Sequence, residues 1–244
     1  MRLAEKKDAY GQEVLAYLNG DAAPEIVERE DGFFAVSGGS ANYFAEYRKW
    51  PPHEKKAFKA VKGKILDIGC GAGRVSLHFQ KKGHYVLGID LSPLAVRVCR
   101  KRGVKRARVL PIEGIGKLKE KFDTIIMTGN NFGLFANEKK AKGLLRKMHK
   151  ITSADALIIA EANDPYKTKN KDHIEYGKWN LKRGKMRGQL KIRIRSGKFV
   201  GPWFEYLLVS KKEMKGLLKG TGWKVRKFIQ NPKKSTYMAV MEKS

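Results

Sequence analysis

The chain predicts an α/β fold: a doubly wound, seven-stranded, mostly parallel sheet with a terminal antiparallel hairpin and a small antiparallel insertion. Three observations predict it. Short apolar runs alternate with amphipathic stretches from residue 64 to 161. The first run leads straight into a glycine-rich turn, "GCGAG" at 69–73. Two further β-type runs close the chain at 223–229 and 235–242, where they read as a hairpin.

The other strand candidates are 64–68 (KILDI), 84–90 (HYVLGID), 106–110 (RARVL), 122–127 (FDTIIM) and 155–161 (DALIIAE), with helices over 73–82, 93–102 and 137–150. Strands and helices alternating in this way argue for a parallel sheet with helices on both faces. Ahead of them, residues 1–20 read as an amphipathic helix (Leu3, Tyr10, Val14, Leu15, Leu18), 21–52 as irregular and aromatic-rich, and 53–62 as a short helix. Two regions follow: an N-terminal helical and aromatic segment, 1–62, and the main domain, 63–244. Within the latter, 163–209 is a basic antiparallel insertion on the substrate side. Its strand, "QLKIRIRSG" at 189–197, alternates Leu190, Ile192 and Ile194 with Lys191, Arg193 and Arg195, so one face is expected to be an exposed row of cations, with 202–210 as the partner strand. Ser210 and Glu213 form a capping box opening a last helix.

Composition bounds the class. A chain of 244 residues with 42% hydrophobic content can bury one sizeable core. No apolar run approaches a membrane span, and "MRLAEKKDAY" lacks the apolar core of a secretion signal, so a cytoplasmic protein with no membrane partner is expected. Cys70 and Cys99 make neither a disulfide framework nor a metal-ligand spacing, and no metal is expected. The five histidines show no catalytic spacing and read as helix or loop surface.

Charge is the outlier. The net charge is +28, and it is uneven: residues 97–150 carry 16 basic against 4 acidic groups, residues 166–234 carry 21 against 4, and residues 1–63 are balanced. Such an excess attracts polyanions and supplies the sequence-independent part of nucleic-acid binding. The rival source is a Lys-rich, thermophilic proteome, where acids rise with lysine; here they do not. RNA, ribosomal or transfer, is the expected partner.

In "KILDIGCGAGRVSL" (64–77) the glycines fall as G-x-G-x-G rather than G-x-G-x-x-G, with Arg74 where a dinucleotide fingerprint has its third glycine. A pyrophosphate fits poorly. Asp67, at the strand end, suits a ligand carrying an ammonium group. Asp90 ends the next strand, where an acid accepts the hydroxyls of a ribose. Glu113 follows the third strand, placed to reach an adenine beside Ile112.

Together "ILDIGCGAGR", "VLGIDLS" and "FDTIIMTGNN" resemble the class I S-adenosylmethionine (SAM)-dependent methyltransferases, whose core is Rossmann-like. The resemblance implies that Asp67, Gly69, Cys70, Gly71 and Gly73 line the methionine moiety. It likewise implies Asp90 and Leu91 at the ribose, Glu113 at the adenine, and Gly129 and Asn130 at the methyl-donor end. It makes SAM the cofactor and S-adenosylhomocysteine the product, with segment 1–62 folding over the site. "KWPPHE", "GNNFGLF", "NDPY", "RGQLKIRIR" and "GPWF" resemble a less-characterised prokaryotic subgroup and fix no substrate.

The acceptor is expected above Asn130 and Asn131, the candidate catalytic pair. Methylation of pyrimidine C5 requires a cysteine nucleophile, and neither cysteine is placed for it. Methylation of an exocyclic amine, with cytosine N4 as the first choice, requires only acceptors for the amine hydrogens and a stacking aromatic. Phe132, Tyr43, Trp50, Tyr166 and Trp203 are candidate aromatics on the substrate side, and Arg193 and Arg195 candidate phosphate contacts. "NDPY" at 163–166 follows the wrong strand for the amino-methyltransferase signature and reads better as a turn. The rival readings are a methyltransferase of a small molecule or protein side chain and, more remotely, a non-catalytic nucleic-acid-binding protein.

Overall fold

The computed structural model describes residues 3–21 and 23–244. Contacts divide the chain into two compact units. One takes the described residues up to Trp50, with Leu66–Ile112 and Lys191–Phe204; the other takes Pro51–Ile65, Glu113–Leu190 and Glu205–Ser244.

In the first unit, α1 (Ala9–Leu18) is followed by β1 (Ile26–Arg29), β2 (Phe34–Val36) and α2 (Gly39–Phe44). The first two residues of the helix expected over 1–20 lie outside the described residues; of the rest, Glu5–Lys7 form a 3-10 turn before α1. Asp8 caps α1 through Gly11 N–H, and its other oxygen accepts from Ser92 Oγ and Leu94 N–H at the N-terminus of a later helix, Pro93–Lys101. One buried carboxylate thus satisfies donors at two helix starts. The second unit opens with α3 (Pro52–Phe58), Pro52 sitting at a helix start where its missing N–H is harmless.

Next come β3 (Ile65–Ile68), α4 (Arg74–Lys81), β4 (Val86–Asp90), α5 (Pro93–Lys101) and β5 (Ala107–Val109). β3 is buried at every position, as expected of a strand covered on both faces. After them run β6 (Phe122–Met127), α6 (Glu138–Lys150) and β7 (Thr152–Asn163). β7 exceeds its expected span because β6 pairs along one side, from Thr152, and a C-terminal strand along the other, to Asn163.

The remainder is α7 (Lys171–Lys182), β8 (Gln189–Ser196), β9 (Phe199–Val200), β10 (Phe204–Leu207), α8 (Lys211–Leu218), β11 (Trp223–Gln230) and β12 (Thr236–Lys243). The strand order of the main sheet is β11-β12-β7-β6-β3-β4-β5, seven strands with the C-terminal hairpin antiparallel at one edge. The capping box of Ser210 and Glu213 forms at α8. Among the described residues no helix is long and apolar enough to cross a membrane.

Two expectations change. Residues 21–52 are not irregular throughout: β1 and β2 pair with each other, and β1 pairs with β8 from Ile26↔Arg195 to Arg29↔Ile192. The second antiparallel sheet, ordered β10-β8-β1-β2, is therefore built jointly by the N-terminal segment and the insertion. The insertion also contains a helix, α7, capped by Asn170 and anchored by buried Asn180, whose Nδ2 donates to the Arg187 and Gln189 carbonyls.

Candidate functional site

In the first unit, Gly69 N–H and Cys70 N–H both donate to Ile89 O, and Gly71 N–H donates to Asp90 Oδ2 at 2.9 Å. Gly71 (φ +52°) and Gly73 (φ +82°) lie where side chains are strained. A β-carbon at Gly71 would fall 2.4 Å from the Tyr10 hydroxyl, and one at Gly73 2.7 Å from Cys99 Sγ. Arg102 donates to Ala72 O within the turn and to Tyr43 O and Phe44 O at the end of α2, a tie that sequence reading missed.

Two acids flank the turn. Asp67, 2% exposed, accepts from Ser76 Oγ at 2.6 Å, and burial pushes its carboxyl up to about 6. Asp90 accepts from Ser92 N–H and Gly71 N–H; burial pushes it up to about 6 as well, against the pull of those amides. Such carboxyls wait for a partner that favours their charge. Leu91 beside them is exposed. Cys70 is buried 4.0 Å from Cys99 Sγ, and that contact together with burial pushes its thiol up, away from nucleophilic use.

Stability should therefore depend on pH. A carboxyl at about 6 when folded and 3.8 when unfolded opposes folding fully above pH 6, and less as pH falls toward 3.8. Between pH 7.5 and 5 each one should return about 1.5 kcal/mol, or roughly 3–6 °C in Tm. Glu13, raised by burial to about 7, adds in the same direction. Glu28, held down to about 2 by Arg193 and then Arg195, loses its stabilising charge only below 4.5 and does not interfere. Melting curves of the protein and of Asp67→Asn check this: the wild type should melt higher at pH 5, and the variant should show a flatter profile. His78, lowered by burial to about 4, works the other way as pH falls below 6.5, so the deciding readout is the difference: an Asp67→Asn profile parallel to that of the wild type refutes it.

Several first-unit candidates prove to be structural. Trp50 is buried under the Arg74 guanidinium, 4.6 Å from its ring, with Nε1 donating to Ala45 O; it cannot stack on an acceptor as it stands. Tyr43 is half-buried and donates to Glu25. The cation row of β8 is not a free face. Glu28, directly across on β1, pairs with Arg193 at 2.6 Å and with Arg195, and Glu30 pairs with Lys191. Cross-strand neighbours of opposite charge explain it. Trp203 lies under Arg193, half exposed.

In the second unit, β6 runs into Gly129 (φ +65°) and Asn130 (φ +64°), before a 3-10 turn over Asn131–Phe135. Asn130 N–H donates to Glu161 Oε2 at 3.1 Å, and Asn130 O accepts from Tyr206 Oη at 2.6 Å. Glu161, Tyr206 and His53 were not expected there. His53 is 3% exposed rather than on the surface, with Nε2 3.6 Å from Glu161 Oε1. Phe132, a candidate stacking residue, is fully buried edge-to-face against Phe135. Glu113 lies in the first turn of a 3-10 segment, Ile112–Lys117, with its carboxylate 3.8 Å from Lys140 Nζ. Tyr166, 51% exposed, donates to Glu213 and lies under Arg187. Its own N–H donates to Asp164 Oδ1, which makes "NDPY" a turn.

Residues 65–155 match the methyltransferase domain family. A Geobacillus protein (strain WCH70) provisionally named a methyltransferase is 24% identical over 142 residues, 53% of this chain and 55% of its own. A Methanocaldococcus jannaschii protein provisionally named a ribosomal RNA large subunit methyltransferase is 27% identical over 174 residues, 63% of this chain and 44% of that one. The chain thus spans about half the length of the curated relatives it matches. The fold is that of a SAM-dependent methyltransferase from Bacteroides fragilis solved with S-adenosylhomocysteine: TM-score 0.83 at 24% identity, covering 100% of this chain and 98% of that one. Residues 65–155 thus match a methyltransferase domain and carry the acid–x–Gly–x–Gly–x–Gly turn, in a chain whose fold is that of the Bacteroides fragilis SAM-dependent methyltransferase.

Proposed function

We propose that the protein is a SAM-dependent methyltransferase acting in the cytoplasm on RNA, at an exocyclic base amine, with cytosine N4 the first choice. The observation that carries the cofactor reading is the glycine turn held between buried Asp67 and half-buried Asp90. A β-carbon at Gly71 would strike the Tyr10 hydroxyl and one at Gly73 the Cys99 thiol, so the turn keeps a bare backbone, and burial raises Asp67 and Asp90 in spite of the donors each has. These residues fit SAM. Asp67, Gly69, Cys70, Gly71, Gly73, Asp90 and Leu91 would hold it. When bound, it supplies a methyl group on a sulfonium, whose C–S electrons leave with the sulfur. The protein's share is then orientation of the acceptor.

Charge carries the RNA reading. Residues 167–187 hold eight basic groups against two acidic ones, and α7 displays Trp179, 42% exposed, beneath Arg183. Basic surface with interleaved aromatics is the chemistry of single-stranded nucleic-acid binding. The ribosomal RNA name of the Methanocaldococcus relative points the same way.

Tritiated SAM offered with total RNA, protein and small-molecule fractions in parallel tests both parts. Label is expected in RNA, in a methylated nucleoside identifiable by mass spectrometry, with incorporation at subsaturating RNA falling steeply as salt rises. Label confined to small molecules overturns the RNA reading. No label in any fraction, together with no SAM-induced rise in Tm, overturns the enzyme reading.

A further inference from the structure

The turn after β6 and the end of β7 hold a polar cluster that cofactor binding does not account for. Asn130 is a non-glycine residue in the left-handed region, a conformation kept only where surroundings over-determine it. Here they do: its N–H is held by Glu161, and its carbonyl by Tyr206 Oη and Gly133 N–H. The backbone is pinned, yet the side-chain Oδ1 is buried with no protein donor in reach. One residue away through Glu161 stands His53, buried, with neither ring nitrogen in a hydrogen bond. As a structural tie between α3 and β7 the His53–Glu161 contact is poor, since 3.6 Å exceeds hydrogen-bond length and leaves Nδ1 unused. Clustered unsatisfied polar groups call for a functional explanation.

The cluster offers a carboxylate and an amide oxygen, with an imidazole behind them. Glu161 is 16% exposed, so one edge reaches solvent. We propose that Glu161 and Asn130 form the acceptor-amine site of the methyltransferase, and that His53 positions Glu161. The assignment rests on the methyltransferase reading and narrows it to acceptors bearing an N–H. Asn130 Oδ1 and Glu161 accept the amine's hydrogens, which aims its lone pair. Methylation leaves that nitrogen positively charged with a proton to lose. The proton crosses to a Glu161 oxygen, whose lone pair forms the O–H bond while the N–H electrons return to nitrogen, and it then leaves to water at the exposed edge.

The test is Glu161→Gln and His53→Gln, each assayed for tritium transfer from SAM to total RNA, with SAM binding followed by melting temperature. The amide introduced by Glu161→Gln keeps an oxygen for Asn130 N–H but cannot take a proton. For E161Q, kcat is expected to fall about 100-fold while KM for RNA and the SAM-induced rise in Tm stay unchanged. For H53Q, kcat should fall about ten-fold with the same KM, since its effect passes through Glu161. Turnover of E161Q within about three-fold of wild type overturns the assignment, as does a rise in KM at constant kcat. Should E161Q not fold, Glu161→Asp keeps the carboxylate but withdraws it: a roughly ten-fold lower kcat supports the assignment, and wild-type turnover overturns it. Wild-type protein that labels no fraction overturns the methyltransferase reading, and this assignment with it.

Discussion

Alanine in place of Phe132 is expected to lower stability by about 3–5 kcal/mol, the range for emptying a buried aromatic site. In a chain of this size that is a fall of roughly 6–20 °C in Tm. The reason is location. Phe132 is fully buried, its ring 4.7 Å from that of Phe135 and nearly perpendicular to it, inside the turn that carries Asn130. Leucine at the same position keeps most of the volume and should recover more than half of the loss. A base-stacking residue would behave in the opposite way: F132A would raise KM for RNA at little cost in Tm, and F132L would not rescue it. Melting curves of the two variants, read beside KM, separate core from platform.

Gly73→Ala is the second large effect, expected at about 2–5 kcal/mol. Two contributions add. The backbone sits at φ +82°, where a β-carbon strains against its own carbonyl by about 1–2 kcal/mol. That β-carbon would also lie 2.7 Å from Cys99 Sγ and 2.8 Å from Val104 Cγ2, both in the closed core of α5 and β5, and overpacking adds about 1–3 kcal/mol. Gly83→Ala is the control. It has a similar φ, +89°, but open space at the β-carbon, so it should lose only the backbone share of about 1–2 kcal/mol. Equal losses in the two variants would show that packing contributes nothing at Gly73.

Gly73 also shows why its surroundings were legible in the sequence. The apolar run ILDI, the acid at position 67 and three alternate glycines are contiguous, and each imposes a local constraint: a buried strand, a charged strand end, a backbone in the left-handed region. The strand-and-helix alternation up to 161 is likewise local, so the seven-stranded sheet and its hairpin followed from periodicity. β1, β2 and α7 did not. The first two are short strands of four and three residues, and β1's partner β8 lies about 160 residues away; no local pattern signals such a pairing. α7 is polar over most of its surface; its best signal was Asn170 as a cap, followed by Ile174 and Tyr176 and a turn later Asn180.

The candidate site divides along the same line. Asp67, Asp90 and the glycines stand on strand ends and on the turn itself, so their neighbours in sequence place them. Arg193 and Arg195 looked like free cations because Glu28 is distant in sequence, and only the pairing of β1 with β8 brings its carboxylate to both. His53 looked like a surface histidine because α3 shows nothing of what covers it.

Residue order and composition are enough to set the main sheet, the cofactor turn and the excess of positive charge, because each depends on residues within a few positions or on bulk counts. Folding in three dimensions settles the rest: which aromatics are core, which cations are already paired, and that His53 and Glu161 meet beside Asn130. Those outcomes rest on long-range pairing and burial, where a side chain's partners come from elsewhere in the chain and its chemistry is set by what surrounds it.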